Sequence, residues 1–123
     1  MSTRTLAAKA ALILATATSA VAVAAGPASA NCAHPHSDKD PGFESVTGAG
    51  STGVAMRAGP HIGCDLIRRI PNGHMMDMHC YTVGETVFGV STWSFVRYNN
   101  GGGDWFGWVS DYYLTNRGST RLC

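Results

Sequence analysis

Four cysteines, Cys32, Cys64, Cys80 and Cys123, are the residues of this chain best equipped for covalent chemistry. A thiolate nucleophile needs a histidine base held within reach. His79 precedes Cys80 directly, yet on an extended strand adjacent side chains point to opposite faces, so the two form no dyad. An even cysteine count in a small exported domain implies two disulfides, for which three pairings exist. The favoured pairs are Cys64 with Cys80, inside the patterned region, and Cys32 with Cys123, tying the two ends. Closing the shorter of these loops stabilises by roughly 3 kcal/mol on the chain-entropy estimate. The carboxylates Asp65, Asp77, Glu85, Asp104 and Asp111 show no spacing suited to acid–base work. Asp104 and Asp111 read as a turn residue and a helical cap. No catalytic residue and no cofactor is expected. His34-Pro35-His36, with Asp38 or Asp40, offers imidazole and oxygen ligands. The spacing matches no structural metal site, so no metal ligand is assigned. His61 and His74 adjoin turns and read as exposed.

The first thirty residues read as an export signal rather than as part of a fold. Arg4 and Lys9 give a basic start, Ala10 to Ala25 is uncharged and Ala-rich, and Ala28-Ser29-Ala30 supplies small residues for cleavage. A membrane anchor is the competing reading, but the run falls short of the ~20 strongly apolar residues a span needs. Removing Arg4 and Lys9 leaves 7 basic against 8 acidic side chains. That balance argues against a nucleic-acid partner, which needs a clustered basic face. The Arg68-Arg69 pair reads as a solvated strand edge. After cleavage a soluble, secreted or wall-associated monomer is expected.

Residues 31–52 are rich in His, Pro, Asp, Ser and Gly and read as an irregular arm contributing little core. From Gly53 short β patterns begin. Val54 to Arg57 is stopped by Ala58-Gly59-Pro60, and Leu66 to Ile70 by Pro71-Asn72-Gly73. His74 to Tyr81 alternates, with Met76, Met78 and Cys80 on one face and Met75, Asp77 and His79 on the other. Trp93 and Phe95 alternate against Ser94, Val96 and Tyr98. Asn99 to Asp104 is a hairpin loop, Trp105 to Ser110 a last strand, and Asp111-Tyr112-Tyr113-Leu114 a single helical turn. Five short strands in about sixty residues predict an all-β fold, a small five-stranded barrel.

The order of these pieces resembles the bacterial SH3-like domains of secreted and cell-wall-associated proteins, single-domain actinobacterial versions above all. Val54-Ala55-Met56-Arg57-Ala58-Gly59-Pro60, Leu66 to Gly73, Trp93-Ser94-Phe95-Val96 and Gly107-Trp108-Val109-Ser110-Asp111-Tyr112-Tyr113-Leu114 carry the likeness. Cys64 in the first long loop and Cys80-Tyr81 at the end of the third strand match similarly. The resemblance implies a barrel over residues 53–114, with residues 115–123 as a tail tied by Cys123. A barrel this small draws its core from alternate strand positions, here Val54, Met56, Leu66, Ile70, Met76, Met78, Phe95, Trp108 and Leu114. Gly107 fits a close approach to a neighbouring strand. Thr82 to Thr92 is longer than the loop such domains often have there, and reads as an apolar flap packed on the barrel or as a functional loop.

SH3-like barrels bind extended peptides in an aromatic groove between the first long loop and the loop joining strands three and four. The resemblance therefore points to Tyr81, Trp93, Trp105, Tyr112 and Tyr113 as groove residues, with Glu85 or Asp111 meeting a cationic amine. The function it implies is a non-catalytic module binding cell-wall peptidoglycan, peptide or a protein ligand. Two other classes are a secreted inhibitor that presents Val87-Phe88 to an extracellular hydrolase, and a surface-assembly protein that self-associates through exposed aromatics.

Overall fold

Six strands are seen in a computed structural model that describes residues 32–123. The proposed export signal lies outside the described residues. The strands are β1 (Phe43–Ser45), β2 (Val54–Arg57), β3 (Leu66–Ile70), β4 (Met75–Val87), β5 (Val90–Asn99) and β6 (Asp104–Ser110), followed by a 3₁₀ turn over Asp111–Tyr113. They form one antiparallel sheet in the order β1-β4-β5-β6-β2-β3, curled into a half-barrel. The all-β expectation holds, with one strand more than the sequence pattern gave. The extra strand, β1, lies in the segment read as an irregular arm. It pairs Phe43 with Asp77 and Ser45 with Met75. Its buried Glu44 accepts from the amides of Asn116 at 2.9 Å and Gly118 at 3.0 Å, so the start and the end of the domain fasten each other.

The largest departure is at Thr82–Thr92. Instead of a loop, these residues continue β4 and β5 into a long hairpin in which Val87 pairs with Val90. The connection is Phe88-Gly89, with φ of 47° and 86°. Positive φ at both central residues is the primed turn that suits the twist of two antiparallel strands. Phenylalanine seldom occupies such a position, which hid the turn in the sequence. The hairpin is not regular throughout. Pairing slips between Val83 and Val87, and a Cβ at Gly84 would lie 2.2 Å from the Pro60 carbonyl oxygen. The strand can cross the Pro60 loop only because Gly84 has no side chain. The Glu85 amide donates to the same oxygen at 3.0 Å.

A second slip, between Met78 and Cys80, explains why the alternation across β4 fails after Met78. Met76 and Met78 enter the concave core with Val54, Met56, Ile70, Val96, Tyr98, Val109 and Leu114. Cys80 turns to the other face and joins Val87, Trp93, Phe95 and Trp108 in a separate cluster. Both faces of β5 are therefore buried. Leu66, expected in the core, is 48% exposed because it sits at the start of edge strand β3, beside the irregular pairing of Arg57. Gly107 meets its expectation, since a Cβ there would lie 2.6 Å from Met56 Cγ and 2.9 Å from the Arg57 carbonyl oxygen.

The disulfides are Cys32–Cys64 and Cys80–Cys123, not the favoured Cys64–Cys80 and Cys32–Cys123. The reason lies in the two faces. Cys80 points into the cluster over which the C-terminal segment passes, where Tyr81 exchanges backbone hydrogen bonds with Arg121 and Cys123. Cys32 instead lies against the Pro60 loop, close enough that a Cβ on Gly59 would sit 2.3 Å from Cys32 Cα. The arm then runs across the outside of the sheet. His36 stacks on Phe95 with ring centroids 3.6 Å apart, and His34 meets Trp108 edge-on at 6.0 Å. Two disulfides suit a non-reducing environment. Among the described residues, no helix is long and apolar enough to cross a membrane.

Asp111 is also not the cap it was expected to be. Ser110 caps the 3₁₀ turn, its Oγ accepting from the Tyr112 amide at 3.3 Å. Asp111 is 1% exposed and accepts from Ser94 Oγ at 2.6 Å. Burial, reinforced by the nearby Glu44 charge, lifts its carboxyl from 3.8 to about 6, against the pull of the Ser94 and Thr92 hydroxyls. The folded state thus holds this proton more tightly than the unfolded chain. Its stabilising effect is complete below the ordinary carboxyl range and is lost as pH rises through the folded value. Between about pH 4 and about pH 7, wild-type stability relative to Asp111→Asn should fall by on the order of 3 kcal/mol. Urea titrations of both proteins at the two pH values check this, and a constant difference would show that Asp111 titrates normally.

Candidate functional site

Where β2 turns into the Ala58–Asp65 loop, the curled sheet leaves a cavity of about 250 Å³. Its floor is Val54 and Ala55 of β2, and its walls include Ile62 of the loop, Val87 and Trp93 of the long hairpin, and Tyr113 of the 3₁₀ turn. Arg57 and Arg69 also line it. Their common side follows from the pairing of β2 with β3. Ala55 stands opposite Arg69, and Arg57 lies two residues further along β2, on the same face.

Each guanidinium is steadied by a backbone carbonyl. Arg57 donates to Cys64 O at 3.1 Å and Arg69 to Gly53 O at 3.3 Å. The ion pairs among the described residues join His79 to Asp38 and Asp77, and Arg97 to Asp77 and Asp104. Neither Arg57 nor Arg69 belongs to one. Burial draws the Arg57 guanidinium below its ordinary value, and the like charge of Arg69 draws it further, opposed by the charge of Glu85. Glu85 Oε1 accepts from the Ile62 amide at 2.8 Å, so its carboxylate braces the loop that forms one wall.

Of the residues expected in a groove, Trp93 and Tyr113 reach this cavity, and Glu85 supports its rim. Trp93 is only 2% exposed, with its indole Nε1 donating to Glu85 O at 2.8 Å. It is a buried wall rather than an open binding platform. Tyr112 stands beside Tyr113 at 4.9 Å, packed against Phe88 at 5.0 Å and under the Arg117 guanidinium at 5.3 Å. Tyr81 lies under the C-terminal clip, and Trp105 lies on β6 beneath Arg68, whose guanidinium is 4.7 Å from its ring. These two do not join the cavity. Asp111, offered as a partner for a cationic amine, is buried against Ser94 and unavailable.

The solvated-edge reading of Arg68-Arg69 holds, since β3 is the edge strand and Arg69 is exposed, but the nearness of Arg57 to Arg69 was missed. The signal that reveals it is the antiparallel register of two strands already recognised. It puts Arg69 and Arg57 on one face and sends Arg68 to the other, over Tyr98 and Trp105.

The metal-type residues gather elsewhere and in a different combination. Asp38, Asp77 and His79 bring ligand atoms within 4.8 Å of one another. Arg97 also holds Asp77, its Nε 3.4 Å from the carboxylate. Asp40 instead accepts from Ser119 Oγ at 2.6 Å, and His34 and His36 lie on Trp108 and Phe95. His34, His36 and Asp38 or Asp40, none of them assigned to a metal on sequence grounds, are thus divided. All four cysteines are in disulfides, so none is a free thiol. Compared with known proteins, the chain matches no family model, no curated protein and no solved structure.

Proposed function

We propose that this chain is an exported, non-catalytic SH3-like module that holds a peptide of the cell wall in the cavity between the Ala58–Asp65 loop and the long hairpin. The observation that carries the reading is the cavity itself, a concave recess in which apolar side chains and polar groups share the lining about equally. It lies beside the first long loop and the hairpin joining β4 to β5, the region where the resemblance expects a peptide to run. The order of the β pieces and the two disulfides add support for an exported domain.

Tyr113→Ala is the informative variant, because Tyr113 is half-buried and lines the recess, whereas Trp93 holds up the fold. Purified residues 31–123 should co-sediment saturably with peptidoglycan sacculi, and Tyr113→Ala should weaken that binding at least about tenfold while staying folded. Wild-type protein that remains in the supernatant across salt and pH ends the wall reading.

Phe88 favours a second reading, a secreted inhibitor. It is 76% exposed at the tip of a two-residue turn, braced by Tyr112. One-to-one inhibition of an extracellular hydrolase, abolished by Phe88→Ala, would support it over wall binding.

A further inference from the structure

We propose that the cavity recognises the free carboxylate at the end of its ligand, with Arg57 and Arg69 as the two cationic contacts and small apolar residues of the ligand lying against Ile62 and Tyr113. The inference rests on the peptide-binding reading for the kind of ligand, but the carboxylate contact follows from the arginines themselves. A guanidinium carries five N–H donors in a fixed fork suited to carboxylates. The known bonds of Arg57 and Arg69 each use a backbone carbonyl, and neither side chain joins a carboxylate among the described residues. Folding thus brings two cations to the lining of one recess with neither in an ion pair among the described residues.

An anion lying between the two would relieve that repulsion at its source. Burial and Arg69 already weaken the hold of Arg57 on its proton, as expected for a cation short of counter-charge in a partly desolvated site. Glu85 offsets part of this, but it accepts from the Ile62 amide and forms no ion pair with either arginine.

Size selects the end of a chain over its middle. A recess of about 250 Å³ has room for a terminal residue or two small ones, less than the usual range for a drug-sized ligand. Ala49, Ala55 and Ile62 present apolar surface beside the charges. Inorganic phosphate offers no atoms to that surface, whereas a small residue bearing its own carboxylate satisfies both parts of the lining.

The test uses calorimetric titration of residues 31–123 with N-acetyl-D-alanyl-D-alanine, its L,L counterpart, their C-terminal carboxamides and inorganic phosphate. At least one acid should bind, its carboxamide should bind at least about tenfold more weakly, and phosphate should bind more weakly than the acid. Arg57→Gln and Arg69→Gln should each lower affinity for the acid by about tenfold, with cooperative unfolding retained. Equal binding of acid and carboxamide, indifference to both arginine substitutions, phosphate binding as tight as the acid, or no binding of either acid overturns the inference.

The same arginine variants are sedimented with sacculi. Wall binding lost in Tyr113→Ala but intact in Arg57→Gln/Arg69→Gln leaves the wall reading standing without the carboxylate contact. Arginine-dependent binding of the acid without wall binding does the reverse.

Discussion

Replacing both Cys80 and Cys123 by alanine should lower stability by about 4 kcal/mol, the chain-entropy value for a loop of this length. The bond closes 43 residues of sequence separation, and Cys80 is fully buried in the cluster with Trp93, Phe95 and Trp108. The loss should be local as well as global. The C-terminal segment is held to Tyr81 by two backbone hydrogen bonds, to Lys39 through the carbonyls of Leu122 and Cys123, and by this disulfide. Without the disulfide, amide exchange at Arg121 to Cys123 should rise more than exchange in β5 and β6. Urea unfolding and hydrogen exchange on the double variant check both parts. An unfolding midpoint equal to that of the wild type would show that the clip is held by its other contacts.

Trp108→Ala should cost about 3–5 kcal/mol, the range for deleting a large buried aromatic. Trp108 is 1% exposed and supports two layers at once. Its ring packs edge-on against Phe95 at 5.3 Å, and the edges of His34 and His36 reach it from outside at 6.0 and 6.2 Å. Removing the indole therefore opens a cavity under the arm rather than only in the core. Trypsin should then cut after Lys39 faster than in the wild type, since Lys39 lies just beyond the histidines on that same arm. If stability drops and the rate at Lys39 does not change, the arm is anchored by other contacts, including the hydrogen bond that the Lys39 amide donates to the His79 carbonyl.

The sequence made the strands legible wherever alternation and punctuation agreed. Val54–Arg57 and Leu66–Ile70 end at Gly-Pro and Pro-Asn-Gly breaks, and Gly107 marks a true close approach. It failed where one residue changes the phase. The slip between Met78 and Cys80 moves a cysteine from one face to the other, and with it the disulfide partner that the face makes reachable. The hairpin at Phe88-Gly89 was hidden for a related reason, since its conformation is paid for by the flanking strands rather than by a turn-prone residue pair. The site was half legible. Composition singles out Trp93 and Tyr113 as aromatics, but the burial of Trp93 comes from Phe95, Trp108 and the hairpin lying over it. The arginines needed a cross-strand register, which a single chain of letters states only once both strands are paired.

The pairing of the cysteines also sets what a protease can do to the oxidised protein. Cys32–Cys64 and Cys80–Cys123 close two separate rings in series, joined only by residues 65–79. A cut inside either ring leaves every fragment covalently linked until the disulfides are reduced. A cut in the connector, where Arg68 and Arg69 lie on an edge strand, divides the molecule into two halves that share no bond. Residues 65–79 are therefore the one stretch between the rings whose backbone alone keeps the domain a single molecule.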